Sequence, residues 1–213
     1  MKSERMRLRD RLELVFADFE DQQYQKGDIV LRPGEQVSHL YLLRQGAVRQ
    51  YVRVGEGEVT IHIYREGAVV PLALVLAGVK NRFYFEAMGP VTVRRTAVGV
   101  GLRKIEDDEM VLKELLRRFA QATLGLATRI EYVLGERSGR RVAGLLVYLA
   151  ERFGEKRGGK TVIKLALTQR EIASWVGLAR ETVSRELKRL KAKGLIVDHK
   201  TIINLAKLKR VME

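Results

Sequence analysis

The chain contains no cysteine. Disulfide bonds, thiolate nucleophiles, zinc thiolate sites and cysteine-ligated iron–sulfur clusters are therefore excluded, since each needs the cysteine sulfur. Histidine is scarce as well, and the three that occur, His39, His62 and His199, are scattered along the chain. Their presence leaves haem ligation formally open, but we interpret each as a structural or solvent-facing residue. We therefore expect no cofactor.

Long apolar runs are also missing. The longest, residues 69–79, is about half the length of a membrane-spanning helix and contains Pro71. The basic N-terminal residues 1–11 are not followed by the apolar stretch that a secretory signal needs. We therefore expect a cytoplasmic protein.

Acidic residues are few in the C-terminal third. Residues 137–213 carry 19 Lys and Arg against 7 Asp and Glu, a net charge of +12, whereas residues 1–136 carry a net charge of +2. Clustered basic side chains bind polyanions by releasing counterions, so this asymmetry favours nucleic acid as a partner. A solubilising basic surface is the alternative. The asymmetry also divides the chain into two domains.

Residues 26–97 form a series of short β-type runs separated by glycine turns, which predicts a small all-β barrel or roll. Alternation along these runs predicts a set of inward-facing residues: Leu40, Leu42, Val48, Tyr51, Val59, Ile61 and Ile63.

From about residue 107 to residue 136 the apolar period changes to that of a long amphipathic helix, with acidic residues 106–109 in its first turn. Such a helix between two domains cannot easily bury its stripe within one chain, so we predict a homodimer interface, with an ordinary core helix as the alternative. The predicted interface residues are Leu112, Leu115, Phe119, Leu126, Ile130 and Val133. A second amphipathic helix is predicted over residues 140–153.

Residues 168–194 have the pattern of a helix-turn-helix. Thr168 and Glu171 form a capping-box signature, Gly177 ends the first helix, and a second helix is predicted over residues 180–193 before Gly194. Both helices contribute to one shared apolar face: Ile172, Ala173, Val176, Leu178, Val183, Leu187 and Leu190. The opposite face of the second helix is then free to enter a DNA groove.

That free face carries Arg180, Glu181 and Arg185. Arginine offers two donors to guanine, and glutamate accepts from cytosine, so we predict that these three residues read bases in the major groove. A surface ion pair between Glu181 and Arg185 is the alternative. Residues assigned to DNA phosphates are Thr168, Gln169, Arg170, Thr182, Ser184, Lys188, Arg189 and Lys200.

Residues 167–196 closely resemble the DNA-binding signature of the cyclic-AMP receptor and fumarate-nitrate regulator (CRP/FNR) superfamily, and residues 26–49 are similar to its β-roll. The resemblance implies an α+β fold: a cyclic-nucleotide-binding-type β-roll in residues 1–106, a dimerisation helix in residues 107–136, and a winged helix-turn-helix in residues 137–213, with residues 195–204 as the wing.

The same resemblance implies a transcription regulator, not an enzyme, that binds and bends a palindromic operator as a homodimer and contacts RNA polymerase. In that family the residues that match Arg180, Glu181 and Arg185 read a guanine-containing half-site. Ala179 departs from the hydroxyl residue usual at this turn, which removes a helix cap and a phosphate contact.

The ligand residues of the cyclic-AMP-responsive members are largely replaced. By ungapped counting, Pro71-Leu72 stand where those members have Gly-Glu, Arg82-Phe83 stand for Arg-Ser, and residues 125–126 stand for the Thr-Ser of the dimer helix. Only Arg82 remains, as a candidate anion-binding residue or simply a surface arginine. We therefore expect regulation by an unknown small molecule or constitutive activity. A cyclic-nucleotide-responsive regulator, or a cyclic-nucleotide-binding module without DNA binding, is the alternative.

Residues 154–161 match the Walker A pattern of nucleotide triphosphatases letter for letter. A phosphate-binding loop needs a strand before it and a helix after it, so that backbone amides point at the phosphates. Here the predicted order is reversed, with a helix before the loop and a strand after it. We interpret the match as coincidental.

Overall fold

The computed structural model describes residues 11–17, 19–134, 137–165 and 167–212, without the side chains of residues 132–134. The chain divides into two compact units. The first extends through Val52 and resumes over Ile61–Ala122, and the second comprises Arg53–Thr60 together with the chain from Thr123 onward.

The first unit is built on a β-roll of two four-stranded antiparallel sheets, which confirms the predicted fold class. The strand orders are β1-β8-β3-β6 and β2-β7-β4-β5. The strands are β1 (Asp21–Tyr24), β2 (Ile29–Leu31), β3 (His39–Gln45), β4 (Ala47–Val54), β5 (Gly57–Arg65), β6 (Val69–Val70), β7 (Tyr84–Ala87) and β8 (Val91–Ala97).

Helices accompany the roll in the same unit. Residues 11–15 are helical (α1), a short helix α2 follows β6, and α3 follows β8. The long helix α4 comes next and continues from the first unit into the second, which resumes at Thr123. Their bounds are Leu72–Leu76 for α2, Val98–Glu106 for α3 and Glu109–Leu134 for α4.

The roll encloses one core and carries a second on its outside. Tyr41 and Leu43 of β3 meet Phe85 of β7 between the sheets. Leu40 and Leu42 point the other way, into a cluster that also contains residues of α1, α3 and α4. Our expectation that Leu40 and Leu42 face the interior of the roll is therefore wrong. Helices cover the outer face of their sheet, so both faces of β3 are apolar and alternation cannot distinguish them.

The other residues expected to face inward differ in burial. Val48 lies in the core between the sheets. Tyr51 and Ile63 are buried, whereas Val59 and Ile61 are only half-buried.

The long helix begins later than its acidic cluster suggests. Glu106 ends α3, and Asp108 accepts hydrogen bonds from the backbone N–H groups of Met110 (3.0 Å) and Val111 (3.1 Å), as an N-cap does. The expectation that Glu106 and Asp107 lie in the first turn of α4 is corrected, since both precede this cap. Within the described ranges, no helix has the length and hydropathy that crossing a membrane requires.

The second unit contains the helix-turn-helix. Its elements are α5 (Ser138–Phe153), β9 (Gly154–Arg157), β10 (Lys160–Ile163), α6 (Gln169–Val176), α7 (Arg180–Ala192), β11 (Thr201–Ile202) and α8 (Leu205–Arg210), with the sheet order β11-β10-β9. The second unit also includes Arg53–Thr60, which contains the start of β5. Within this segment, Thr60 Oγ1 lies 3.1 Å from Ser174 Oγ on α6.

The Walker-like residues form the β9–β10 hairpin. Lys160 pairs with Arg157 across a turn in which Gly158 and Gly159 have φ values of 52° and 75°, a conformation that glycine adopts without strain. As predicted, α5 precedes these residues and a strand, β10, follows the glycine turn, but residues 154–157, expected to form a loop, are strand β9. The element directly after the turn is therefore a strand and not the helix N-terminus that would receive a phosphate.

Candidate nucleic-acid interface

The first helix of the motif begins at the predicted capping box. Thr168 Oγ1 accepts from the Glu171 backbone N–H (3.2 Å), and Glu171 Oε2 accepts from the Thr168 backbone N–H (2.5 Å). Gly177 adopts the left-handed conformation (φ 64°, ψ 42°), which a glycine allows, and the chain turns there towards α7. The start and end of α6 are therefore those predicted.

The second helix, α7, packs one face on its neighbours and exposes the other. Val183, Leu187 and Leu190 are buried, as are Ile172 and Val176 of α6. Ala179 provides no side-chain cap, as its sequence predicts. The exposed side chains on α7 include Arg180, Glu181, Arg185, Lys188 and Arg189, while Thr182 and Ser184 are half-buried.

The side chains of Arg180, Glu181 and Arg185 make no hydrogen bond or ion pair with any residue that the structure describes. The alternative, a surface ion pair between Glu181 and Arg185, is therefore not formed in this structure. All three side chains lie on the outer face of α7 within its first two turns, where hydrogen-bonding groups remain available to a ligand.

One acidic residue of α7 turns inward, and sequence patterning did not reveal it. Glu186 is 6% exposed, and its Oε1 accepts a hydrogen bond from Ser138 Oγ (2.8 Å) at the start of α5. A Cβ built on Gly139 would lie 3.1 Å from Glu186 Oε2, so the carboxylate closely approaches the first turn of α5. A carboxylate at a helix N-terminus interacts favourably with the helix dipole. Glu186 therefore ties α7 to α5.

The wing lies beside the start of α6. His199 Nε2 is 2.8 Å from the Leu167 carbonyl, and the Ile163 N–H donates to the Lys200 carbonyl (2.8 Å). Burial raises the pKa of Asp198, but N–H donors from Lys200 and Thr201 outweigh it and hold that pKa below its usual value. Within the predicted wing, residues 195–204, the structure forms β11 and a bridge between residues 196 and 202.

The phosphate candidates fall on these two elements. Thr168 and Arg170 are exposed, and Gln169 is half-buried, all at the N-terminus of α6. Lys200 is half-buried in the wing.

The predicted dimerisation residues lie on two different faces of α4. Leu115 is buried in the cluster on the outside of the roll, and Phe119 packs against that cluster. Leu112, Leu126 and Ile130 are about half exposed, and the additional residue Leu116 is 69% exposed. The side chain of Val133 lies outside the described residues. Leu115 and Phe119 therefore hold α4 to its own roll, at least in part.

The residues at the positions expected of a nucleotide phosphate site differ in burial and contacts. Pro71 precedes α2 and has no N–H to donate, and Leu72 is 2% exposed within the cluster outside the roll. Arg82 is exposed, with its guanidinium carbon 5.2 Å from the centre of the Phe83 ring. Its neighbour Asn81 is buried and donates to the Arg32 and Phe83 carbonyls.

The roll contains a polar pair that sequence patterning did not identify. The Tyr64 hydroxyl donates to Gln50 Oε1 (2.9 Å), and burial raises the pKa of Tyr64 to about 12. His62 contacts the Tyr64 ring edge-on, with 4.7 Å between the ring centres, while His39 Nδ1 is 2.8 Å from Ser38 Oγ. Among the described residues, no three acidic or histidine side chains are grouped as metal ligands.

A cyclic-nucleotide-binding-type roll, a long helix and a helix-turn-helix with a free basic face define a class of DNA-binding regulators. Residues 21–98 match the cyclic nucleotide-binding domain family, and residues 140–211 match the Crp-like helix-turn-helix domain family. The chain belongs to the CRP/FNR superfamily of transcription regulators.

Similar curated proteins are regulators of the same kind. The chain is 29% identical to the global nitrogen regulator of Nostoc sp. over 193 residues, covering 86% of this chain and 84% of that protein. It is 30% identical to the nitrogen fixation regulation protein FixK of Rhizobium meliloti over 187 residues, covering 84% and 80%.

Solved structures share the fold. A CooA mutant from Carboxydothermus hydrogenoformans is 25% identical with a TM-score of 0.78, covering 93% of this chain and 90% of that one. A CRP/FNR-family regulator from Thermus thermophilus is 26% identical with a TM-score of 0.70, covering 91% and 98%.

Proposed function

We propose that this protein is a cytoplasmic regulator that binds a palindromic double-stranded DNA operator as a homodimer and acts on RNA polymerase. One observation carries the proposal: Arg180, Glu181 and Arg185 are exposed and without described partners on α7, whose other face is anchored in the unit. A helix in this setting fits the major groove, where its N-terminal residues reach base edges.

The three residues supply a base-specific set of hydrogen bonds. Arg180 and Arg185 each offer a planar pair of donors that matches O6 and N7 of guanine, and Glu181 accepts from N4 of cytosine. Thr168 and Arg170 at the start of α6, and Lys188 on α7, add exposed groups that suit phosphate oxygens. Base contacts select the sequence, while phosphate contacts hold the protein in register.

The test is fluorescence anisotropy on the operator that the wild-type protein selects from a random duplex library. We expect Arg180→Ala and Arg185→Ala each to weaken operator binding by about 1 to 3 kcal/mol while binding to random DNA changes little. Lys188→Ala is the matched control, because loss of a phosphate contact lowers affinity for both DNAs alike. Equal losses on both DNAs for the two arginine variants would contradict base reading.

A homodimer formed through α4 fits the palindrome. Leu116 and Ile130 are two heptads apart, as are Leu112 and Leu126, so the four exposed residues form one stripe along the helix. Burying this stripe against its symmetry copy would remove apolar surface from water on both chains.

Sedimentation of Leu116→Glu tests this interface. We expect a monomer that no longer binds the palindrome with high affinity, because two charges would meet within the seam. The matched control is Leu76→Glu, since Leu76 is 58% exposed on a different helix, α2. A dimeric Leu116→Glu variant would refute the interface.

We further propose that the protein does not respond to cyclic AMP. Pro71 removes a phosphate-binding N–H, Leu72 occupies a core position without a ribose acceptor, and Phe83 offers no hydroxyl. Calorimetry with cyclic AMP should give no saturable heat up to millimolar nucleotide. Saturable micromolar binding would instead favour the cyclic-nucleotide-responsive alternative.

A further inference from the structure

The C-terminal half of α4 directly contacts the helix-turn-helix within the second unit. Arg129 Nη2 donates to the Trp175 carbonyl (3.2 Å), which lies in the last turn of α6. Backbone carbonyls in the last turn of a helix lack intrahelical donors and carry the negative end of the helix dipole. The guanidinium of Arg129 therefore matches the end of α6 in both hydrogen bonding and charge.

Aromatic packing surrounds this contact. The Arg129 guanidinium carbon lies 5.7 Å from the centre of the Trp175 ring, and Tyr148 of α5 meets the same ring edge-on at 5.7 Å. Gly125, one turn before Arg129, has the Tyr148 ring 3.7 Å from the position of a built Cβ. Trp175 is 3% exposed. Three helices, α4, α5 and α6, thus meet around one indole ring.

Burial lowers the pKa of Arg129 to about 10, so the guanidinium stays charged at neutral pH. Arg129 is half-buried, and an arrangement in which α6 moves away would lose its hydrogen bond to the Trp175 carbonyl and its contact with the Trp175 ring, which favours the arrangement of the three helices seen here.

The hydrogen bond from Arg129 to Trp175 also links α4 to α6 directly, in addition to the chain segment that joins α4 to α5. A short connector limits the distance between two helices but leaves their relative rotation open. A hydrogen bond from α4 to the end of α6 fixes that rotation. The orientation of α7 is then fixed as well, because α7 packs on α6 through Ile172, Val183 and Leu187.

We propose that Arg129 is a positioning residue that sets the separation of the two DNA half-sites. The inference rests on the proposed homodimer, in which the two α4 helices pack together and each carries its own α6–α7 pair. The two α7 helices must then lie about 34 to 36 Å apart to reach successive major grooves. Arg129 contacts no base or phosphate in this role.

The test compares operators whose half-sites are moved by one or two base pairs. Each added base pair shifts a half-site by about 3.4 Å and rotates it by about 35°. We expect the wild-type protein to lose about tenfold or more in affinity per base pair of displacement, because base contacts are lost. For Arg129→Met we expect affinities for the same operators to differ by less than about threefold. The affinity of this variant for one isolated half-site should equal that of the wild type.

Two controls separate positioning from other roles. Arg117→Met removes an exposed arginine from the same helix, where it pairs with Glu114, and should retain the spacing preference. The dependence of affinity on salt should have the same slope in Arg129→Met as in the wild type, because a phosphate contact would change it by about one. Arg129→Lys keeps the charge with a shorter reach and should give an intermediate spread.

The outcomes are distinct. A folded Arg129→Met with the wild-type spacing optimum, or with equal losses on every spacing, overturns the proposal. If that variant does not fold, Arg129→Lys decides by the same spacing series. A wild-type protein that selects no palindrome would overturn the proposed function instead.

Discussion

The buried carboxylate of Glu186 gives a sharp test of how α7 is held in place. Its Oε1 accepts from Ser138 Oγ at 2.8 Å, and the N-cap residue of α5, Arg137, makes no side-chain capping bond. Glu186 therefore places a carboxylate at the N-terminus of α5 from a different helix. Glu186→Ala leaves the Ser138 hydroxyl without its acceptor and removes the favourable charge at the helix N-terminus.

The magnitude follows from these two losses. A buried hydrogen bond to a charged group contributes about 1.5 to 3 kcal/mol, and a carboxylate at a partly buried helix N-terminus contributes up to about 2 kcal/mol. We therefore expect Glu186→Ala to lower the free energy of unfolding by about 3 kcal/mol. Glu186→Gln keeps an acceptor without the charge and should lose about half as much.

Urea unfolding followed by tryptophan fluorescence measures this directly, since Trp175 is the only tryptophan in the chain and is buried in the same unit. A double-mutant cycle of Glu186→Ala and Ser138→Ala should give a coupling energy above about 1 kcal/mol. Arg189→Ala is the control. Arg189 is exposed, and its Nη1 is 3.7 Å from Glu186 Oε2, which is long for an ion pair, so its removal should cost less than about 0.5 kcal/mol. Additive effects within about 0.3 kcal/mol would refute the contribution of the Glu186–Ser138 hydrogen bond.

Three further predictions concern caps and the wing. Thr168→Ala should lower the free energy of unfolding by about 1 kcal/mol, while Thr168→Ser should retain it, as urea titrations can measure. Burial raises the pKa of Asp108, but hydrogen bonds from Arg11 and from backbone N–H groups outweigh it and hold that pKa below 3.8. Its ionised form therefore stabilises the fold above the unfolded pKa, and this contribution is lost as pH falls through the folded pKa. The stability difference between wild type and Asp108→Asn should shrink in acid, and a difference that grows there would contradict it. Lys200→Ala should weaken binding to operator and random DNA equally and reduce the salt slope by about one in anisotropy titrations, whereas loss on the operator alone would indicate base reading.

The helix-turn-helix could be predicted nearly to the residue because its signals are local. A capping box acts over three residues, and Gly177 ends α6 through its own backbone conformation. These groups decide the structure without reference to distant parts of the chain. The apolar face shared by the two helices has the same local origin, since it repeats at helical spacing.

Contacts between distant residues could not be predicted in this way. Glu186 follows the exposed Arg185 in sequence, and only the approach of α5 shows why a carboxylate is buried there. Arg49 is similar: its guanidinium is buried, 3.0 Å from Glu86 and 4.1 Å from the centre of the Tyr51 ring. Each is a pairing across a long sequence separation, for which periodicity has no signal.

The shape of the roll and the ligand chemistry within it depend on different numbers of residues. Alternating apolar residues and turn glycines specify the shape at many positions, so it tolerates change at any one of them. Ligand chemistry depends on a few positions, and here one of those, Leu72, packs with Leu40 and Val111 in the cluster that joins the roll to its helices. A carboxylate placed at residue 72 would be buried among apolar side chains, which costs several kcal/mol without a partner. The packing that holds α4 to the roll therefore opposes a carboxylate at this position.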